Sequence, residues 1–178
     1  NTIAARYFSP LEEILVAVGK FSGGTQYNII PAEAVLEGTI RYYDKENRSQ
    51  AMQAIREIAV NTAAACRTSA KVAFEEFTPP TINAPEAAIL GQETAAGIVG
   101  AENVISEPLK ALAGDDFAFY SEKVPGLYAK IGSADPNRPE TQHPLHHPSF
   151  DIDERALAIA AEFYVRYALQ YLNAGGEV

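Results

Sequence analysis

The stretch Gly23-Gly24-Thr25-Gln26-Tyr27-Asn28-Ile29-Ile30-Pro31 lies between two segments that read as strands, and it decides what the first half of the chain can become. Before it, Ile14 to Phe21 is β-branched and nearly all apolar, the pattern of a central strand. After it, Ala34 to Tyr43 alternates: Leu36, Ile40 and Tyr42 fall on one face, Glu37, Thr39 and Arg41 on the other. The glycine pair frees the backbone, and Pro31, which has no amide hydrogen, keeps the loop from pairing. An antiparallel hairpin follows. In it Arg41 lies near the end away from the Asn28 loop, roughly 20 Å or more distant at about 3.3 Å per residue. Asparagine and arginine side chains both receive carboxylates well, yet one small carboxylate cannot touch both within one such hairpin.

Around the hairpin the pattern is mixed. Asn1 to Arg6 reads as the end of a helix, broken by Ser9-Pro10. Asp44 is a helix N-cap, and Met52, Ile55, Ala59, Thr62 and Cys66 recur at helical intervals from Lys45 to about Thr68. Ala70 to Phe77 alternates like a strand with one wet face. Residues 1–77 thus read helix end, strand, strand, helix, strand. One upstream strand and the body of the first helix would complete βαββαβ, a ferredoxin-like sandwich. Thr78-Pro79-Pro80-Thr81 is a stiff connector, so the expected domains are 1–77 and 78–178.

In the second part, Asn83 to Glu86 starts a helix running to about Val99, and Asn103 to Ser106 is a short strand. Gly114-Asp115-Asp116-Phe117 opens a helix that ends before Pro125-Gly126, and Leu127 to Gly132 is a strand. A long loop, Ser133 to Ser149, holds four prolines and all three histidines of the chain. The last helix, capped by Asp153, runs to about Leu172 and ends at Gly175-Gly176. Strands alternating with helices suggest part of an α/β layer.

Charge narrows the function classes. The net charge is −9 and no basic stripe is visible, which argues against nucleic acid as a partner. No apolar run approaches the roughly 20 residues of a membrane span, and no stretch reads as a signal peptide. The single cysteine, Cys66, cannot staple the fold; a small buried thiol in a reducing, cytoplasmic setting is the expectation. Residue 1 is Asn rather than Met, so sequence upstream of it is expected.

The chemistry-bearing residues are few. On spacing alone, His143, His146 and His147 read as a solvated loop, although long loops are also where sites sit. Glu12-Glu13 and Glu75-Glu76 read as surface. No histidine precedes position 143, so three ligands for a catalytic zinc cannot be assembled from an earlier His motif.

Three lines of sequence resemble the aminoacylase/carboxypeptidase family of dinuclear zinc metallopeptidases, in the branch of N-acyl-amino-acid amidohydrolases such as hippurate hydrolase. The first is Gly23 to Pro31 with Glu37-Gly38-Thr39-Ile40-Arg41, similar to the lid-domain line of that branch. The second is Gly114-Asp115-Asp116-Phe117-Ala118, where the branch usually has Glu in place of Asp115. The third is Leu145-His146-His147-Pro148 followed by Phe150-Asp151-Ile152-Asp153-Glu154, where His147 replaces a usually small residue. The resemblance runs from about Thr2 to Leu172 and covers only the C-terminal portion of the family's fold: an incomplete lid, then the end of an α/β catalytic domain.

The resemblance implies a divalent metal cofactor, two zinc ions in first place, with manganese, cobalt or nickel as alternatives. It implies His146 as a metal ligand, Asn28 and Arg41 as grips on the substrate carboxylate, and a general base upstream of this chain. Asp116 has two readings: a cap in the first turn of a helix, or a residue orienting the site loop. The implied substrate is a small N-acyl amino acid or dipeptide, and the implied partner a second copy joined through the lid. The separation of Asn28 from Arg41 then suggests that the lid lends Asn28 to the partner's site and Arg41 to its own. Taken alone, the chain is expected to be inactive. The alternative reading is a non-catalytic dimerisation or binding module.

Overall fold

A computed structural model describes residues 2–107 and 110–175. Among these residues it is a mixed α/β structure with one two-stranded sheet. The chain divides into two compact units, one of Asn1–Thr81 with Lys110–Asp116, the other of Ile82–Leu109 with Phe117–Val178. Among the described residues no helix is long and apolar enough to cross a membrane.

In the first unit, α1 (Ile3–Tyr7) precedes the hairpin of β1 (Ile14–Gly23) and β2 (Ala34–Tyr42), and α2 (Lys45–Ala65) follows. The strands pair antiparallel from Ile14 opposite Tyr42 to Gly23 opposite Ala34, with a bulge between Val18 and Lys20. Gly38 faces that bulge, and a Cβ there would sit on the Ala17 carbonyl oxygen. Only glycine lets the two backbones approach so closely. Gly24 makes the turn at the top of β1 with φ +77°. The Asp44 side chain accepts the Glu46 amide at 2.6 Å, the N-cap expected there.

The α2 helix forms where the spacing predicts it, but its buried residues are Ala51 and Ala54. The face is rotated from the Met52–Cys66 row: the small alanines allow close approach, while Met52 and Ile55 lie at its margin, half-buried. Cys66 corrects an expectation. It is exposed, because it lies beyond the last helical turn at the C-cap, where nothing covers it.

Ala70–Phe77 is also corrected. Ala70, Val72 and Phe74 are half-buried and Lys71, Ala73 and Glu75 exposed, so the alternation is real, but no ladder forms. A strand needs a neighbour for its amides and carbonyls. Among the described residues no other segment pairs with it. The segment is held by side chains instead: Glu76 accepts from the Tyr42 hydroxyl and pairs with Arg48, each at 3.1 Å, and the Arg56 guanidinium lies over Phe74. For the same reason β1 is not central; it pairs with β2 alone.

In the second unit, α3 (Pro85–Val99) packs on α5 (Arg155–Asn173), with a 3-10 turn at Ala101–Asn103, the one-turn α4 (Ala118–Ser121) and a 3-10 turn at Pro139–Gln142 between them in sequence. Gly91 and Thr94 are buried on α3, Ala156 on α5. Thr94 Oγ1 lies 2.7 Å from the Leu90 carbonyl oxygen and touches the Gln170 side chain. Arg166 donates to the Gly97 carbonyl at 3.2 Å. The strands expected at Asn103–Ser106 and Leu127–Gly132 form no ladder. Asn83 is not a helix cap but a substitute ladder partner: it accepts from the Tyr128 amide at 2.7 Å and donates to its carbonyl at 3.1 Å. The Gly114–Phe117 line opens a single helical turn rather than a helix reaching Pro125.

Candidate functional site

The hairpin register places Arg41 opposite Leu15, at the end where β1 begins, while Asn28 lies in the exposed loop beyond the Gly23–Ala34 pair. Seven residues of strand separate Ala34 from Arg41, about 23 Å at the usual rise. Asn28 and Arg41 are therefore not brought together within the chain. Arg41 is exposed and donates from Nη1 to the Leu112 carbonyl at 2.8 Å; beside it the Tyr43 hydroxyl donates to the Ala111 carbonyl at 2.8 Å. Lys110 pairs with Glu13 at 2.7 Å and lies over the Tyr43 ring. Lys110–Asp116 is thus tied to the open end of the hairpin, so Arg41 and the exposed Asp116 belong to the same unit.

The histidine loop belongs to the other unit. It is closed at its base, where the Asp153 amide donates to the Ser133 carbonyl at 2.8 Å. Its first lobe knits around buried Thr141, whose Oγ1 accepts the Asp135 amide at 2.8 Å and reaches the Arg138 carbonyl at 2.8 Å. Its second lobe carries the histidines. The rings of His143 and His147 stack, with centroids 4.2 Å apart and planes 6° from parallel. The Ser149 amide donates to His147 Nδ1 at 3.0 Å, so the neutral His147 ring carries its proton on Nε2. His146 stands apart from this stack. It is exposed and has φ +70°, a left-handed conformation that a non-glycine residue rarely adopts and that clusters at ligand-binding positions.

Sequence reasoning missed the charged frame of this loop. Arg155 bonds Asp135 Oδ2 at 2.8 Å and Asp153 Oδ2 at 2.7 Å, and Arg138 bonds Glu140 Oε1 at 3.0 Å and faces Asp151 at 3.7 Å. Hydrogen bonds from the Arg155 side chain and amide hold the Asp153 carboxyl below its ordinary value, and Arg155 is raised in return. The Glu140 carboxyl is likewise lowered, first by a backbone amide and then by Arg138. A signal was available: Arg155 is the first residue of α5, where the helix dipole disfavours a cation unless acids surround it.

Imidazole is the right donor for a divalent metal, but among the described residues no group of three or more His, Cys, Asp or Glu is placed to hold an ion. The described residues do not by themselves fit a dinuclear centre. An open apolar depression lined by Phe117, Tyr120, Val124 and Pro125 includes Phe117 of the second motif line but none of Asn28, Arg41, Asp116 and His146.

Comparison with known proteins decides the family. The profile of Peptidase family M20/M25/M40 matches residues 7–170. The chain belongs to the M20 peptidase family. Among its relatives, the N-acetyl-L-cysteine deacetylase of Bacillus subtilis is 35% identical over 177 residues, 99% of this chain and 40% of that protein. The hippurate hydrolase of Campylobacter jejuni is 29% identical over 173 residues, 97% of this chain and 44% of its own length. A solved M20 structure, a dinuclear metal-binding peptidase of Bacillus subtilis, superposes with a TM-score of 0.73 at 29% identity, over 90% of this chain and 42% of that one. The chain thus spans less than half the length of these relatives.

Proposed function

We propose that the whole protein is a metal-dependent amidohydrolase that cleaves the amide bond of N-acyl amino acids or small dipeptides, and that this chain supplies its carboxylate grip and one of its metal-facing histidines. The observation that carries the reading is the M20 match over residues 7–170, which includes all three motif lines in order. The names of two relatives, an N-acetylcysteine deacetylase and a hippurate hydrolase, share one chemistry: an acyl group removed from an amino-acid nitrogen. The name of the solved neighbour, a dinuclear metal-binding peptidase, supports a pair of metal ions; the reading takes these as divalent, zinc first, with manganese, cobalt or nickel as alternatives.

In this reading residues 1–77 form a ferredoxin-like lid and dimerisation domain and 78–178 the end of the catalytic domain. Arg41 binds the substrate carboxylate through its guanidinium fork and Asn28 donates its amide to an oxygen of the substrate. The distance along the hairpin supports a division of labour: in a homodimer paired through the lid, each lid keeps Arg41 for its own site and lends Asn28 to its partner. Asp116 orients the site loop. His146 is one ligand, and the remaining ligands and the general base come from sequence outside this chain. A cytoplasmic location fits the lone exposed Cys66. The test is hydrolysis by the full-length protein of a panel including N-acetylcysteine and hippurate, with and without chelator. Chelator-sensitive release of the free amino acid supports the reading, and no release from any member contradicts it.

One observation favours a second reading of the chain by itself. Leu15, Val18, Phe21, Val35 and Leu36 are exposed on the hairpin, and exposed apolar side chains grouped on one element mark interaction surfaces. That suits a dimerisation or binding module without catalysis of its own. The full-length protein separates the two: a dimer that releases no amino acid from any member of the panel, with metal supplied, is the signature of this second reading.

A further inference from the structure

The left-handed backbone of His146 poses a question of support. A strained residue on an exposed loop keeps its conformation only where the surrounding structure over-determines it. Beside His146 the local contacts fall on His147: its amide donates to the Pro144 carbonyl at 3.1 Å, its carbonyl accepts the Phe150 amide at 2.9 Å, its Nδ1 accepts the Ser149 amide at 3.0 Å and its ring stacks on His143. The bonds that join the two limbs of the loop lie at its base. There Asp135 and Asp153, one on each limb, are largely covered, with 15% of each side chain exposed, and both bond the same guanidinium. Arg155 is itself anchored on the first turn of a 19-residue helix. Arg138 adds a weaker crossing to Asp151.

We propose that Arg155 is a positioning residue for His146: by bridging Asp135 and Asp153 it fixes the two limbs of the 133–153 loop to α5 and so holds the histidine at the loop's far end in its left-handed conformation. The bridge uses the fork geometry of the guanidinium, whose separate N–H groups reach two carboxylates at once. The Arg155 side chain is itself 75% exposed, so the bridge acts through its two-carboxylate geometry rather than through burial. The catalytic meaning of the bridge rests on the reading of His146 given above; the bridge as a support for the loop does not.

Amide hydrogen exchange on the full-length protein tests it. Arg155→Met is expected to speed exchange at residues 145–150 at least tenfold while α3 and the body of α5 change less than twofold. Asp135→Asn, which leaves the start of α5 intact, is expected to act in the same direction, and Arg155→Lys to recover part of the protection. Unchanged exchange at 145–150 in Arg155→Met and Asp135→Asn overturns the proposal. So does a rise in α3 and α5 that keeps step with the loop, because the arginine would then serve only the stability of the unit. The kcat of His146→Ala on an N-acyl amino acid decides the catalytic reading separately, whatever the exchange shows.

Discussion

Arg41 donates to the carbonyl oxygen of Leu112 at 2.8 Å, so the guanidinium marked as a carboxylate grip also fastens the segment that leads to Asp116. One of its five N–H donors is spent on the backbone in this bond, and the planar fork keeps others for a carboxylate. Arg41→Lys in the full-length enzyme should therefore raise KM for carboxylate-bearing substrates by about tenfold to a hundredfold, the loss of a charged hydrogen bond worth roughly 1.5–3 kcal/mol. An ester-capped substrate should show a much smaller change. Steady-state kinetics on the paired substrates checks this.

Gly38 tests the hairpin itself. A Cβ there meets the Ala17 carbonyl, a backbone atom that cannot swing aside. Gly38→Ala should cost about 1–3 kcal/mol and lower the melting temperature by roughly 3–10 °C. Thermal unfolding followed by calorimetry reads it, and an unchanged melting temperature would mean that the bulge does not bring the strands so close.

Thr94 tests the α3–α5 packing. Its hydroxyl is buried, 1% exposed, and touches Gln170 across the helix pair. Thr94→Val keeps the shape and leaves the Gln170 amide without that partner, at a cost of about 1–3 kcal/mol. Thr94→Ser, which keeps the hydroxyl, should cost less. Denaturant midpoints of the two variants decide.

The histidine loop should be acid-labile in a defined direction. The Asp153 carboxyl sits below its ordinary value of 3.8 because Arg155 bonds its charged form. A carboxyl depressed on folding contributes stability that is present above its unfolded value and lost as pH falls through its folded value. Glu140 acts with the same sign. The contribution of these two carboxylates should therefore hold from neutral pH down to the ordinary carboxylate range and be lost only below it. The side-chain carboxyl carbon shifts of Asp153 and Glu140, followed on acidification, would contradict this if they moved at or above the ordinary values of 3.8 and 4.5.

Much of this was legible in the sequence, and the losses have a common cause. Periodicity located α2, and start and stop signals located α3 and α5, because helices satisfy their own backbone. Periodicity located the hairpin for the same reason: both partners are in the chain. At Ala70–Phe77 the alternation gave the correct sidedness but not a ladder, since pairing depends on a neighbour that local pattern does not reveal. Cys66 and the rotated face of α2 were missed because apolar character was weighed above size, while tight packing went to the small Ala51 and Ala54. In the candidate site, His146 stood out through its motif line; Arg155 did not, although a cation opening a helix is a visible anomaly.

The central claim is that this chain belongs to a metal-dependent enzyme acting on N-acyl amino acids. The most direct test is the initial rate of amino-acid release from N-acetylcysteine and hippurate by the full-length protein, measured as purified, after chelation, and after zinc or manganese is restored. Release is expected to be abolished by chelation and regained with metal, and lowered at least a thousandfold, about 4 kcal/mol in barrier, by His146→Ala. Release that survives both chelation and the loss of His146 would contradict the claim.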